Sequence, residues 1–173
     1  HLAAHYPQVR LVRSERNLGF AGGNNLGARH ARGRFLLLLN TDTVVRGPLA
    51  AMVTTIERDP ALGALGCRLV YGDGRQQESI GYEPTLVRLP LSWLPLGPLL
   101  PRSALARRTL PATSPAYLAD VPCVDWVSGA CLVLRREALA QVGGFDEAMF
   151  MYFEDVDLCL RLRRAGGGIL RVG

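Results

Sequence analysis

The sequence predicts an α/β domain with a mostly parallel central sheet flanked by helices. Short apolar runs that suit buried strands alternate with segments of helical periodicity, an order typical of βαβ units. The clearest strand is residues 35–39, Phe-Leu-Leu-Leu-Leu, which run directly into Asn40, Thr41 and Asp42. Open α/β sheets bind ligands beyond the carboxyl ends of their strands, so this acidic residue marks a candidate site.

The other elements follow the same alternation along the chain. The segment 22–32 has helical character, and a second helix is expected between Pro48 and Asp59 because its apolar residues form one stripe. Glycines at 166–168 end the last helix. The remaining predicted elements are strands at 9–13, 62–71, 126–134 and from 168 onwards, a tight turn at 71–75, and helices at 135–142 and 154–165.

Length and composition indicate a single globular domain. The 173 residues are enough for one core, and 49% of them are hydrophobic. No apolar run reaches the roughly 18 residues that a membrane span requires. All 20 basic residues are arginines and the net charge is +5, but the arginines are dispersed, so no nucleic-acid partner is expected. The four cysteines lack zinc-site spacing and are expected to be reduced core residues.

One stretch departs from the alternating pattern. Eight of the 11 prolines lie between Pro84 and Pro122, among leucines and Trp93. Such a long loop in a compact domain is usually either mobile or functional. The alternatives are a mobile surface insertion and an interfacial patch whose apolar residues enter a bilayer beside arginines. Since the chain starts without Met and ends in what looks like a shortened strand, we expect a fragment truncated at both ends.

A glycine-rich segment, residues 17–27, is the first of three segments that suit a chemical role. Glycines that lead into a helix can bring backbone N–H groups close to phosphate. The spacing does not match the GxGxxG pattern of dinucleotide-binding proteins. The alternative is a plain loop with a helix cap at Asn24 or Asn25.

The sequence Asn40-Thr41-Asp42 is the second segment. One carboxylate with neighbouring amide and hydroxyl oxygens could form one corner of a Mg²⁺ or Mn²⁺ site, which diphosphate oxygens and water would complete. The alternative is an ordinary turn after a strand, where Asn and Asp are common.

The third segment, residues 145–157, gathers carboxylates and aromatic residues immediately before a helical pattern. Acidic residues in a first helical turn are favoured by the helix dipole, which needs no functional explanation. Asp155, however, shares a helix face with Cys159 and Leu162, so we expect apolar surroundings that raise its pKa. A carboxylate with a raised pKa suits a general base.

In this order, and with the sequence Val-Ser-Gly-Ala-Cys-Leu-Val-Leu-Arg-Arg at 127–136, the three segments resemble family-2 glycosyltransferases, particularly the bacterial rhamnosyltransferase-like branch. The resemblance covers most of the chain except about residues 72–122. It implies a GT-A fold, with residues 1–173 forming part of a catalytic domain that carries a proline-rich insertion at about 84–122. It also implies an inverting, metal-dependent reaction.

The resemblance assigns roles to individual residues. Asp42 matches the metal-binding Asp of the family's DXD-type motif, although Asn40 replaces the first Asp. Asp155 matches the general base and follows Glu154, the other acidic residue of the same motif. The expected donor-binding residues are Asn17, Gly19, Asn24, Asn40, Asp42, Gly129 and Ala130.

The implied partners are a nucleotide-sugar donor, with a rhamnose-type sugar favoured, and a glycan or lipid-linked acceptor of the cell envelope. The implied location is the cytoplasm, with peripheral contact to the inner face of the membrane as a further expectation. Two alternatives remain at this point: a sugar nucleotidyltransferase and a non-catalytic carbohydrate-binding domain. Aspartates at both 42 and 155 count against the second of these.

The proline-rich stretch provides a test of membrane contact. We expect residues 91–108 to touch an anionic membrane surface at the acceptor side, because Trp93 and several leucines adjoin Arg102, Arg107 and Arg108. Each arginine near such a surface contributes about 1 kcal/mol. Co-sedimentation of the full-length protein with anionic vesicles should fall when Trp93 and the three arginines are replaced by alanine. If the wild type ignores such vesicles, the apolar residues fold back onto the domain as a lid instead.

Overall fold

The computed structural model of the chain describes residues 2–77, 79–86 and 124–172. The membrane prediction, at residues 91–108, lies outside them. None of the described helices is both long and apolar enough to cross a bilayer. In chain order the elements are α1 (Leu2–His5), α2 (Gly19–His30), β1 (Phe35–Leu39), α3 (Leu49–Arg58), β2 (Leu62–Cys67), β3 (Ile80–Gly81), β4 (Trp126–Val127), β5 (Cys131–Arg135), α4 (Arg136–Gln141), α5 (Glu154–Arg164) and β6 (Gly168–Val172).

The central sheet has four strands in the order β1-β5-β2-β6. β5 runs antiparallel to both of its neighbours, while β2 and β6 pair in parallel. The expectation of a mostly parallel sheet is therefore wrong for the strand pairings, because the sheet is mixed. β1 and β2 are joined through helix α3, the kind of crossover that parallel strands need. β5 instead enters from the small β3-β4 ribbon through the turn 128–130, and it runs in the opposite direction.

The predicted helices are present, but three of the predicted strands are absent, divided or shorter than expected. Residues 9–13 form no strand, since no strand among the described residues pairs with them. The single strand expected at 126–134 is divided into β4 and β5 by the turn 128–130. β2 ends at Cys67 instead of residue 71.

The tight turn predicted at 71–75 is confirmed. The Tyr71 amide donates to the Arg75 carbonyl at 2.7 Å, and Val70 and Gln76 form an antiparallel bridge on either side. This hairpin follows β2 in the chain and lies outside the four-stranded sheet.

Apolar residues on the two faces of the sheet form two separate core clusters. Because side chains alternate along a strand, neighbouring residues of β5 belong to opposite clusters. Leu132 and Leu134 pack with Leu158 and Leu162 of α5 on one face. Cys131 and Val133 pack with Met52 and Ile56 of α3 on the other face. A strand buried on both sides reads as one continuous apolar run, a pattern that is typical of parallel strands. The sequence pattern therefore did not reveal that β5 pairs antiparallel with both neighbours.

The turn 128–130 packs against helix α2 through a glycine. Gly129 is buried, and a Cβ atom added to it would lie 2.7 Å from the Phe20 ring. The same ring meets Phe145 edge-on, with centroids 5.9 Å apart and planes at 86°. Phe20 thus fills the space beside Gly129 and fixes the distance between α2 and the turn.

This contact predicts a size-exchange effect on stability. Gly129→Ala should destabilise the full-length protein by about 1–3 kcal/mol, the usual range for overpacking a tight site. Phe20→Leu, which leaves room for the added methyl group, should recover part of that loss in the double variant. Chemical denaturation of the wild type, the two single variants and the double variant gives the coupling energy between positions 20 and 129. Simple additivity of the two single changes would contradict the proposed contact.

Candidate active site

A cleft of about 400 Å³ lies between the first half of α2 and the carboxyl end of β1. This is the edge at which the strand pattern predicted a ligand. Four of the predicted donor-binding residues come together in its walls, namely Gly19, Asn24, Asn40 and Asp42. The full set of lining residues is Gly19, Phe20, Gly23, Asn24, Leu39, Asn40, Thr41 and Asp42.

A tight turn after β1 presents Asp42 at this cleft. The Asn40 carbonyl accepts hydrogen bonds from the Thr43 amide at 3.3 Å and from Thr43 Oγ1 at 2.6 Å. Asp42 lies exposed at the tip of the turn. Nowhere in the described part of the chain do three or more His, Cys, Asp or Glu side chains gather as metal ligands. The Asp42 carboxylate, together with the oxygens of Asn40 and Thr41 in the same cleft wall, is a ligand set that suits Mg²⁺ or Mn²⁺ when substrate phosphates and water complete the shell.

Asn17 and Gly19 shape the start of α2. Asn17 Oδ1 accepts a hydrogen bond from the Gly19 amide at 2.9 Å, which forms a local turn before the helix. Gly19 has φ +67°, and a Cβ there would lie 2.2 Å from the Phe150 carbonyl oxygen. Only glycine fits this position. Asn17 is absent from the residues that line the cleft, and its donor-binding role stays a prediction.

Asn24 lies inside α2 and is not its cap, and the same is true of Asn25. The helix begins at Gly19, with Leu18 before it. Asn24 Nδ2 donates to the Phe20 carbonyl at 2.9 Å, one turn earlier, while the residue lines the cleft. This bond fixes the Asn24 amide on the side of the cleft opposite the β1 turn.

The turn 128–130 connects the cleft to the second acidic motif. The Asn40 amide donates to the Ala130 carbonyl at 3.0 Å. The Gly129 amide donates to Asp155 Oδ2, also at 3.0 Å. The two groups predicted to act on donor and acceptor, Asp42 and Asp155, therefore lie on segments joined by the same short turn.

Burial differs between the two acidic residues that begin α5. Asp155 is half-buried, and its other carboxylate oxygen accepts from the Val156 amide at 2.8 Å. The expectation that Asp155 is the carboxylate in apolar surroundings is wrong, because backbone N–H groups face both of its oxygens. The buried carboxylate is Glu154, which is 6% exposed. Its Oε2 is buried without a hydrogen-bond partner.

Burial raises the pKa of the Glu154 carboxyl above its ordinary value, and the negative charge of Asp155 adds to the rise. A carboxylate with one oxygen buried and unpartnered is disfavoured in its charged form, so Glu154 binds its proton more tightly than an exposed glutamate does. Burial thus separates the two neighbouring carboxyl groups, since Glu154 is the buried one and Asp155 is the one with backbone N–H partners.

The four residues just before this pair, Phe-Met-Tyr-Phe at 150–153, form an exposed strip that we call the aromatic ridge. Tyr152 and Phe153 have φ values of 69° and 66°, in the left-handed region. This conformation costs roughly 1–2 kcal/mol for each residue other than glycine. Phe150 lies against Gly19 at the rim of the cleft, and its carbonyl accepts from the Phe20 amide at 3.1 Å.

Two side chains that sequence reasoning missed hold the loop leading to this ridge. Asn25 Oδ1 accepts from the Phe145 amide and its Nδ2 donates to the Phe145 carbonyl, both at 2.9 Å. Arg161 Nη1 donates to the carbonyls of Val142 and Gly144, both at 2.7 Å. Phe20, described above, is the third missed residue. The Asp157–Arg161 pair was visible as an i,i+4 spacing, but the backbone partners of Arg161 were not.

Known relatives match most of this chain. Residues 1–143 match the family described as Glycosyl transferase family 2. An N-acetylglucosaminyl-diphospho-decaprenol L-rhamnosyltransferase of Mycobacterium tuberculosis is 36% identical, over 93% of this chain and 55% of its own length. The O-antigen biosynthesis protein RfbC of Myxococcus xanthus is 34% identical over 83% of this chain and 10% of its own length. The chain thus spans about half the length of the rhamnosyltransferase it matches.

Solved structures share the fold. A mannosyltransferase from Pyrobaculum calidifontis, in complex with GDP-mannose and Mn²⁺, has a TM-score of 0.62 at 18% identity, over 98% of this chain and 39% of that one. GalNAc-T7 with UDP, GalNAc and Mn²⁺ has a TM-score of 0.62 at 17% identity, over 99% of this chain and 32% of that one. The predicted GT-A-like fold is confirmed. Because the family match extends over residues 1–143, the chain belongs to glycosyl transferase family 2.

Proposed function

We propose that the full-length protein transfers a sugar from a nucleoside diphosphate sugar to a glycan or lipid-linked acceptor in cell-envelope polysaccharide synthesis. One observation carries this proposal: the turn 128–130 is hydrogen-bonded both to Asn40 at the cleft and to Asp155. A displacement at an anomeric carbon needs a site for the leaving diphosphate and a base for the acceptor hydroxyl. The turn joins one group suited to each task.

Asp155 acts as the general base in this proposal. It removes the proton from the acceptor hydroxyl, whose oxygen bonds to the anomeric carbon as the bond to the diphosphate oxygen breaks. Attack from the face opposite the leaving group inverts the configuration at that carbon. The Gly129 amide holds one carboxylate oxygen of Asp155 in place during this step. Burial raises the pKa of the neighbouring Glu154, which disfavours a second negative charge beside the base.

Asp42, with Asn40 as a helper, would hold Mg²⁺ or Mn²⁺ together with the donor diphosphate. When bound, the ion neutralises the charge that develops on the leaving diphosphate. The Mn²⁺ present in both solved relatives supports a divalent ion here. Gly19 and Asn24 form the opposite wall of the cleft, where they contact the donor, and Ala130 lies behind Asn40.

The choice of substrates follows from the relatives. The Mycobacterium tuberculosis relative is named as an L-rhamnosyltransferase that acts on a decaprenol-linked N-acetylglucosaminyl diphosphate. A rhamnose-type donor and a lipid-linked acceptor are therefore the substrates to test first. Cytoplasmic action with peripheral contact to the inner membrane face is part of the same proposal. Family membership favours this function over a nucleotidyltransferase or a non-catalytic carbohydrate-binding domain.

Removing the proposed metal ligand should abolish transfer. Asp42→Ala takes away the one carboxylate that faces the cleft from the β1 turn. Calorimetric titration of the full-length protein with donor should show Mn²⁺-dependent binding in the wild type and none in the variant. Asp73→Ala, which changes an exposed aspartate in the hairpin, is the matched control and should bind as the wild type does. Unchanged metal-dependent binding in Asp42→Ala would show that the ligand assignment is wrong.

Neutralising the proposed base should affect chemistry and leave donor binding intact. Asp155→Asn keeps the size of the side chain but removes the basic oxygen, so kcat should fall about 10²-fold or more. Circular dichroism and donor titration confirm that fold and donor site are retained. Near-normal turnover in Asp155→Asn, combined with lost turnover in Glu154→Gln, would move the role to Glu154.

A further inference from the structure

We propose that the aromatic ridge, residues 150–153, binds a sugar ring of the acceptor. This inference rests on the proposed function and adds to it the place where the acceptor sits.

The ridge lies between the two parts of the proposed reaction centre. At one end the Phe150 side chain lies against Gly19, which lines the cleft. At the other end Phe153 immediately precedes α5, whose second residue is Asp155. An acceptor sugar whose hydroxyl is placed between the cleft and Asp155 is therefore expected alongside these residues.

The ridge is exposed where a structural role would bury it. Phe150, Met151, Tyr152 and Phe153 are 51%, 56%, 76% and 60% exposed, whereas Phe145 in the same segment is 3% exposed. Contiguous exposed apolar residues usually mark a binding surface. Aromatic rings suit sugars because their flat apolar faces can cover the C–H face of a pyranose, while neighbouring polar groups bind its hydroxyls.

Charge favours a sugar over a lipid surface as the occupant. The segment 145–157 contains five acidic residues and no arginine, lysine or histidine. Glu154 is buried and Asp157 is paired with Arg161. Asp146 and Glu147, however, are exposed and would repel an anionic membrane surface. A neutral, hydroxyl-rich ring would instead find acceptors for its O–H groups next to the aromatic faces.

The backbone of the ridge supports a functional role. Tyr152 and Phe153 are the two residues other than glycine that have positive φ within the described part of the chain, and they are consecutive. Strained conformations of this kind persist where the surroundings enforce them, and they concentrate at ligand sites. Glycine would adopt the same conformation without strain. If the side chains served only the fold, glycine at Tyr152 would be tolerated without loss of binding.

Replacing a ridge residue by glycine should therefore affect stability and acceptor binding in opposite directions. Tyr152→Gly removes the ring and relieves the backbone, so the Tm of the full-length protein should stay the same or rise. The KM for an acceptor probe, an N-acetylglucosaminyl diphosphate with a short alkyl chain, should rise about tenfold, the effect expected from one lost aromatic contact. The KM for the donor should change little. Phe153→Gly provides an independent second variant with the same expectation.

Controls separate the possible outcomes. Tyr71→Gly removes an exposed tyrosine from the hairpin and should leave both KM values as in the wild type. Tyr152→Phe, which keeps the ring, should retain the acceptor KM. Saturation-transfer NMR with methyl N-acetylglucosaminide reports contact with the sugar ring directly, and the contact should weaken in Tyr152→Gly.

Each contrary result has a distinct meaning. If both glycine variants keep the wild-type acceptor KM and the NMR contact, the ridge does not bind the acceptor and this inference is wrong. A fall in Tm that accompanies the loss of activity in both variants would show a structural role instead. A loss of vesicle binding in the glycine variants would assign the ridge to the membrane. If the wild type transfers no sugar but keeps the NMR contact, the proposed transferase function fails while the sugar contact stands.

Discussion

The hydrogen bond from the Gly129 amide to Asp155 Oδ2, 3.0 Å long, is the contact on which the arrangement of the site depends. It joins the start of α5 to the turn 128–130, which precedes β5. The same turn accepts a hydrogen bond from the Asn40 amide at the end of β1. The bond requires a residue without a side chain at 129, because the Phe20 ring occupies the space where a Cβ would lie. Three elements distant in sequence are thereby held in one geometry.

Hydrogen bonds to backbone, more than ion pairs, fix the surroundings of this contact. Asn25 uses both ends of its amide on the backbone of Phe145, and Arg161 donates to the carbonyls of Val142 and Gly144. Hydrogen bonds to a charged group contribute about 1.5–3 kcal/mol each, more than an exposed ion pair. The loop that leads to the aromatic ridge is therefore held at both ends of its first turn, while the ridge itself stays exposed.

Local pattern was enough to predict some of this structure but not the rest. The apolar stripe of α3 and the glycines that end α5 are local signals. The predicted ends of these two helices therefore agree with the observed ones within a few residues. Asp42 was found because it follows an obvious strand. The direction of β5 and the burial of Glu154 depend on residues far along the chain, and no periodicity reports them. Phe20 was missed because its role exists only opposite Gly129.

The buried position of Glu154 links folding to protons. Its pKa in the folded chain lies above the ordinary value of 4.5, because burial disfavours the charged form. Between that ordinary value and the raised one, the unfolded chain has released the proton that the folded chain still holds. Folding therefore takes up a proton in this window, and Glu154's contribution to stability declines as the pH rises through it. Above this window the charged carboxylate keeps Oε2 buried without a hydrogen-bond partner, so the start of α5 loses the stability that the bound proton gave it.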